Sequence, residues 1–220
     1  MTAPTLLVVA KAPEPGLAKT RLAGRTGADV AARFAAAAFL DTLETVSVLG
    51  WPVVVALTGD LTRAARGDDL RAACAPHRVV AQRGTTFGQR LVNAHEDADA
   101  GAGVVQIGTD TPQATTADLI AVADGLQSHE AVLGPAADGG WWALGVRSPR
   151  WARPLSDVAM SRSDTGARTY AALTAAGARV GDAPVLADVD TWEDALALVR
   201  TAPRSRAGRV IAELVAGGVS

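Results

Sequence analysis

Four short segments carry side chains whose types and spacing suit chemistry on a phosphorylated ligand. The first, Lys11-Ala-Pro-Glu-Pro-Gly-Leu-Ala-Lys19-Thr20-Arg21, places three cations in a loop stiffened by Pro13, Pro15 and Gly16. Cations and successive backbone N–H groups in such a loop can surround a polyphosphate. The alternative is a proline-rich turn with solvated cations. The second segment is Gly108-Thr109-Asp110-Thr111-Pro112, where Asp110 could hold a divalent cation against a phosphate or merely close a turn before Pro112. The third, Asp138-Gly139-Gly140-Trp141-Trp142, reads either as a hairpin turn with aromatic filler or as a glycine floor that lets a substrate approach Asp138. In the fourth, Asp188-Val-Asp190-Thr191, extended alternation points Asp188 and Asp190 the same way. Paired carboxylates repel unless a cation sits between them. Thr191 and Asp194 have capping-box form, which accounts for Asp194, partly for Asp190, and not for Asp188.

These segments follow predicted strands, the loops where open parallel sheets bind ligands. Thr5–Ala10, Pro52–Thr58, Arg78–Gln82 and Gly103–Gly108 read as strands, separated by helices over about 26–48, 61–74 and 86–98. Thr115 and Asp118 form a second capping box, opening a helix to about Gln127. The alternation breaks at Ala131–Gly134 and Trp141–Val146, two strand-like runs too close for a helical crossover, so one is expected to run antiparallel. A loop over 148–162, a helix over about 163–176, a strand over about 179–186 and helices from Thr191 and Arg204 complete the expected order.

Composition removes several classes. The 220 residues favour one domain. At 49% hydrophobic and 20% charged, the chain is neither disordered nor a disulfide scaffold. The net charge of −2 marks no nucleic-acid or anionic-membrane surface. Cys74 is the single cysteine and reads as a buried small residue. No apolar run is long enough for a signal peptide or a membrane span, so a reducing cytoplasm is expected. Only two of the 21 basic residues are lysines, and both, Lys11 and Lys19, lie in the first segment. Neither a Walker A loop nor a G-x-G-x-x-G fingerprint is present, which disfavours an NAD-type enzyme. Gln82, Arg83, Gly84 and Arg90 flank the third strand's end and are further candidates for a base or phosphate contact. His77, His95 and His129 are scattered and read as structural or solvated.

Taken in order, Val9–Leu22, Ile107–Pro112, Leu133–Gly140 and Asp188–Thr191 resemble the bacterial glycosyltransferase-A-like family of unknown function, within the nucleotide-diphospho-sugar transferase superfamily. The resemblance implies one GT-A-type α/β domain over residues 1–220, a three-layer α/β/α arrangement around a mixed, mostly parallel sheet. It implies a nucleotide held by Lys11, Gly16, Lys19, Arg21, Gln82 and Gly84. It also implies Mg²⁺ or Mn²⁺ at Asp110 with Asp188 or Asp190, and a small acceptor against Asp138, Gly139, Gly140, Trp141 and Trp142. Lys19, Arg21 and Asp110 would be the catalytic set. The chain departs from the family pattern on the acceptor side, with Trp141-Trp142 where tyrosine is common and Met160-Ser161 where tryptophan commonly precedes the serine. Nucleotidyl transfer from an NTP is favoured because leaving pyrophosphate needs cations beyond one metal. The alternatives are glycosyl transfer from an NDP-sugar and a non-catalytic nucleotide-binding module. The sequence leaves the oligomeric state open.

Overall fold

The computed structural model describes residues 2–218. In chain order the elements are β1 (Thr5–Lys11), α1 (Thr20–Thr26), α2 (Ala28–Val48), β2 (Val53–Thr58), α3 (Gly67–Cys74), β3 (Arg78–Ala81), α4 (Phe87–Ala98), β4 (Val104–Ile107), α5 (Thr116–Gly125), β5 (Ala131–Pro135), β6 (Trp141–Val146), α6 (Thr165–Ala175), β7 (Val180–Asp182), α7 (Trp192–Thr201) and α8 (Arg206–Ala216). The strands form one seven-stranded sheet in the order β3-β2-β1-β4-β6-β5-β7. All pairings are parallel except those of β6, which runs antiparallel to both β4 and β5. The fold is thus α/β with a mixed, mostly parallel sheet, and the expected antiparallel strand is β6.

Helices cover both faces, so the central strands are apolar throughout rather than alternating. On one face Leu6 and Val8 of β1 pack with Phe39 and Leu43 of α2, Leu70 of α3 and Leu119 of α5. On the other, Leu7 and Val9 meet Leu91 of α4, Leu155 and Leu173. A third cluster joins Leu22, Phe34, Trp192, Leu198 and Ile211, and holds α1, α7 and α8 against the outer side of α2.

Local chemistry explains where the elements depart from the expected ones. The helix expected over 26–48 forms as α2 from Ala28; a further helix that was not expected, α1, precedes it, and Gly27 at φ 84° separates the two. The segment expected as a helix over 61–74 opens with the 3-10 turn Leu61–Arg63, and α3 begins only after Arg66 at φ 54°. The segment expected as a loop after Ser148 contains a 3-10 helix, Pro149–Asp157, with proline at its start. The strand expected over 179–186 shortens to β7, leaving an isolated bridge between Ala136 and Leu186. Both capping boxes form, at Thr115 with Asp118 and at Thr191 with Asp194. At Thr86 only half of one forms: its hydroxyl accepts from Gln89 N, while Gln89 Oε1 accepts from Thr85 instead.

Topology creates the crevice. The chain moves outward from β1 through β2 to β3, then returns to place β4 on β1's other side. The loops after β1 and β4 therefore diverge at a switch point, the usual ligand crevice of open sheets.

Beneath it, His95 of α4 is fully buried and its Nε2 lies 2.8 Å from Gln106 Oε1 of β4. A neutral ring donates from Nε2, leaving Nδ1 without a partner. A second proton at Nδ1 would find no acceptor. Burial pushes the His95 pKa down to about 4, against the opposing effect of the hydrogen bond to Gln106. An unfolded histidine protonates near 6.5, so between those values the unfolded state binds more protons. The stability is fully present above about pH 6.5 and is lost as pH falls toward about 4. Urea unfolding at pH 7 and pH 5 should differ by about 2 kcal/mol from this group. The paired change His95→Leu with Gln106→Leu should remove that part of the acid slope.

Candidate functional site

The loop after β1 ends at Lys19, which adopts a left-handed conformation, φ 45° and ψ 51°, immediately before α1. Such a conformation is unfavourable for a residue with a Cβ and persists only where surroundings enforce it. Here two carboxylates do so. Lys19 Nζ lies 2.6 Å from Asp110 Oδ1 and 2.8 Å from Asp190 Oδ1, with the lysine side chain only 8% exposed. Burial alone would lower its pKa; the two carboxylates outweigh burial and hold the ammonium above its ordinary value.

The loop after β4 and the segment before α7 are also tied to each other directly. Val189 N donates to Asp110 O at 2.8 Å, and the Gln113 side-chain amide donates to Ala187 O. Val189 is buried, so Asp188 and Asp190 on either side of it both face the crevice, as the alternation predicts. Asp194 accepts from the backbone N of Asp190 and Thr191, and from the Thr191 hydroxyl. Asp188 has no such duty. Its Oδ1 is buried without a partner, and its pKa is pushed up to about 7 by burial, then by Asp110, Asp138 and Asp190, against Lys19.

Two cavities of about 410 Å³ each open on the crevice. The first is lined by Lys11, Lys19, Arg21, Gln82, Phe87 and Arg90, among others. Asp138, Gly140, Trp141, Met160, Arg162 and Asp188 line the second. Asp110, Asp190, Arg21 and Phe87 border both. Gln82 is fixed by its Nε2, which donates to Ala10 O and Ala56 O at 2.9 Å each; Oε1 is left as its acceptor.

Not every expected residue reaches a cavity wall. Gly16 (φ 79°) supplies a turn in the first loop. Gly84 lies close against α4, and Gly139 against Ser163. Trp142 is 2% exposed and donates its indole N–H to Pro184 O, so it is core that reaches only the cavity floor. Trp141 is partly exposed and bonds Thr169. Asp138 lines the second cavity and also closes its turn, accepting from Gly140 N. Phe87 was absent from the sequence-predicted set; an exposed aromatic directly after a helix cap at a strand's end was the available signal.

The carboxylates suit a hard divalent cation in chemistry more than in number. Among the described residues, no group of three or more His, Cys, Asp or Glu side chains is placed to hold a metal. Lys19 already balances Asp110 and Asp190. The orphan Asp188 oxygen, in the field of Asp110, nevertheless offers a second oxygen ligand, and Mg²⁺ commonly takes one or two carboxylates with substrate phosphates and water. No helix among the described residues is long and apolar enough to cross a membrane.

The fold is similar to that of several solved structures. A crystal structure of an inferred nucleotide-diphospho-sugar transferase from Desulfovibrio desulfuricans is similar over 98% of this chain and 96% of that one, with TM-score 0.85 and 27% identity. Rv0371c from Mycobacterium tuberculosis, in complex with manganese, has TM-score 0.52 and 20% identity over 90% of this chain and 99% of its own. A CMP:2-keto-3-deoxy-manno-octonic acid synthetase complexed with CTP has TM-score 0.54 and 14% identity over 90% and 97%. The last two likenesses show the fold alone. No curated protein matches the sequence. The chain belongs to the family described as "Uncharacterized protein conserved in bacteria (DUF2064)", which matches residues 40–162.

The ion triad has a measurable consequence. Asp110→Asn or Asp190→Asn leaves Lys19 one carboxylate, and each should cost about 1 kcal/mol in urea unfolding. The double variant strands a buried ammonium. It should cost about 2–3 kcal/mol, below the roughly 3–5 of a fully buried pair because both carboxylates remain partly in solvent. A double variant as stable as the parent would mean that Lys19 is not held by this pair.

Proposed function

We propose that this chain is a divalent-metal-dependent transferase acting on a nucleotide donor, and that it transfers a nucleotidyl group from an NTP to a small acceptor with release of pyrophosphate. The observation that carries this reading is the charge of the first cavity. Lys11 and Arg21 line it, and among the described residues neither is paired with a carboxylate; Lys11 Nζ donates only to Leu17 O. Unbalanced cations favour a ligand that brings more negative charge than one metal ion neutralises. A triphosphate meets that condition better than a diphosphate ester.

In this proposal Gln82 Oε1 accepts from the base, and Lys11 and Arg21 hold the β- and γ-phosphates. An acceptor oxygen in the second cavity, anionic in a phosphorylated acceptor and so needing no base, attacks the α-phosphorus as the bond to the bridging oxygen breaks. The electron pair leaves with pyrophosphate, where the cations of the first cavity stabilise it. Lys19 keeps Asp110 and Asp190 aimed at the junction. Asp110 with Asp188 would hold Mg²⁺ or Mn²⁺, which supplies charge neutralisation on the donor phosphates. Asp138 and Trp141 would face the acceptor. The same residues suggest one domain that works on small molecules.

Glycosyl transfer from an NDP-sugar is the second reading. It is favoured by the room beside Asp138 and Trp141 for a sugar ring, and by the likeness to the inferred nucleotide-diphospho-sugar transferase.

Thermal-shift titrations with the four NTPs and a set of NDP-sugars, each with and without Mg²⁺ or Mn²⁺, separate the two. A ligand at 100 times its Kd adds about 2.7 kcal/mol of stability. The expected result is a metal-dependent shift with an NTP, lost in Asp110→Ala. Arg21→Ala should weaken NTP binding by about 1.5–3 kcal/mol. A shift confined to one NDP-sugar and its NDP would replace nucleotidyl by glycosyl transfer. No shift with any of them would leave the chain without a nucleotide donor.

A further inference from the structure

Arg90 stands on α4 one turn beyond Phe87 and lines the first cavity. Its guanidinium lies over the Phe87 ring, 5.6 Å from the centroid. Its Nε is buried and has no hydrogen-bond partner. Among the described residues Arg90 forms no ion pair, unlike Arg83 with Asp97, Arg179 with Glu130 or Arg206 with Asp41. A guanidinium cannot shed its charge, and a buried N–H without an acceptor is unfavourable. An anion entering the cavity would supply the missing counter-charge to the guanidinium.

The residue's placement is tightly set. Gly84, at φ +134°, runs so close to α4 that a Cβ there would lie 2.9 Å from Arg90 N and from Gln89 Cβ. The Arg90 backbone N donates to Thr86 O at 3.0 Å, locking the first turn. The same cavity carries Lys11 and Arg21, while Lys19, the residue expected to meet phosphate, is balanced by Asp110 and Asp190.

We infer that Arg90 is a phosphate-binding residue of the donor site: its guanidinium takes the pyrophosphate portion of the ligand and, with Lys11 and Arg21, forms a three-cation clamp. The inference rests on the first cavity being the donor site. Arginine suits the task because its planar fork can grip two phosphate oxygens at once. The pyrophosphate end of an NTP offers terminal oxygens for such a grip, whereas the diphosphate of an NDP-sugar is esterified at both ends.

The test is calorimetric titration of inorganic pyrophosphate, in Mg²⁺, into the wild-type chain, Arg90→Met and Arg90→Lys. The best-bound NTP then follows, with its NDP, NMP and nucleoside. Arg90→Met should weaken pyrophosphate and NTP binding by roughly 10- to 100-fold, the range expected for a charged hydrogen bond. It should weaken NMP less and leave the nucleoside unchanged. Arg90→Lys should recover part of the loss, since it restores charge but not the fork. Should Arg90→Met fail to fold, Arg90→Lys carries the comparison through its smaller loss in the same series. Equal pyrophosphate affinity in wild type and both variants overturns the inference. So does an equal loss for NTP and nucleoside, which would place Arg90 against the base. If pyrophosphate binding depends on Arg90 while no NTP binds the wild type, the phosphate site stands and nucleotidyl transfer falls. If the wild type binds neither, both fall.

Discussion

One buried ammonium holds this crevice together. Lys19 reaches two carboxylates that lie 91 and 171 positions further along the chain, one after β4 and one before α7. Without it, Asp110, Asp188 and Asp190 would face one another with no intervening charge. The raised pKa of Asp188 reports how crowded that field already is. The left-handed backbone at Lys19 and its position at the start of α1 follow from the same demand: the loop has to deliver an ammonium inward and then begin a helix at once. The bond between Val189 N and Asp110 O reinforces the pairing and fixes the entry to α7. The helical annex of α1, α7 and α8 is thus coupled to the site through both charge and packing.

From this constraint comes a separation of charge across the crevice. Lys11, Arg21 and Arg90 line the first cavity with no carboxylate partner among the described residues, while Asp138 and Asp188 belong to the second, where Arg162 already pairs with Asp164. The topology makes the separation possible. The first cavity gathers residues from the β1 side of the switch point, at the ends of β1, β2 and β3. The second gathers residues from the β4–β6 side. The antiparallel strand β6 is what turns Asp138 and Trp141 toward the same edge of the sheet as the parallel strands' carboxyl ends.

The sequence was most readable where local and tertiary demands agree. Buried strands such as β1 and β2 are uniformly apolar, and the two complete capping boxes are local hydrogen-bond patterns. Both were therefore visible. Some helix starts were not. α1 begins at Thr20 inside a loop-like cationic segment and stops at Gly27, and Arg66 takes a positive φ that its residue type does not announce. In the site, the four segments come to one crevice, but charge partnership could not be read from spacing. Lys19, expected to face phosphate, lines the first cavity while balancing two aspartates. Trp142, expected at an acceptor, forms the floor of the second cavity and is packed against Gly134, whose missing Cβ would otherwise meet its ring at 2.6 Å. Both outcomes depend on contacts between residues far apart in sequence.

The junction of the two cavities narrows the chemistry further than either cavity does alone. Val9, Arg21, Phe87, Thr109, Asp110 and Asp190 border both. A donor whose base lies at Gln82 would run its phosphates toward this junction, and the atom presented to the second cavity would be the one that reacts. In nucleotidyl transfer that atom is the α-phosphorus, and new charge grows on the pyrophosphate, within reach of cations that, among the described residues, no carboxylate balances. In glycosyl transfer it is the anomeric carbon, and charge grows on the phosphate nearest Asp110, where the resident cation is already shared by two aspartates. Arg21 borders both spaces and could serve either reaction. Lys11 and Arg90 border only the first, and an unbalanced cation there lowers a barrier only if the leaving group is on that side.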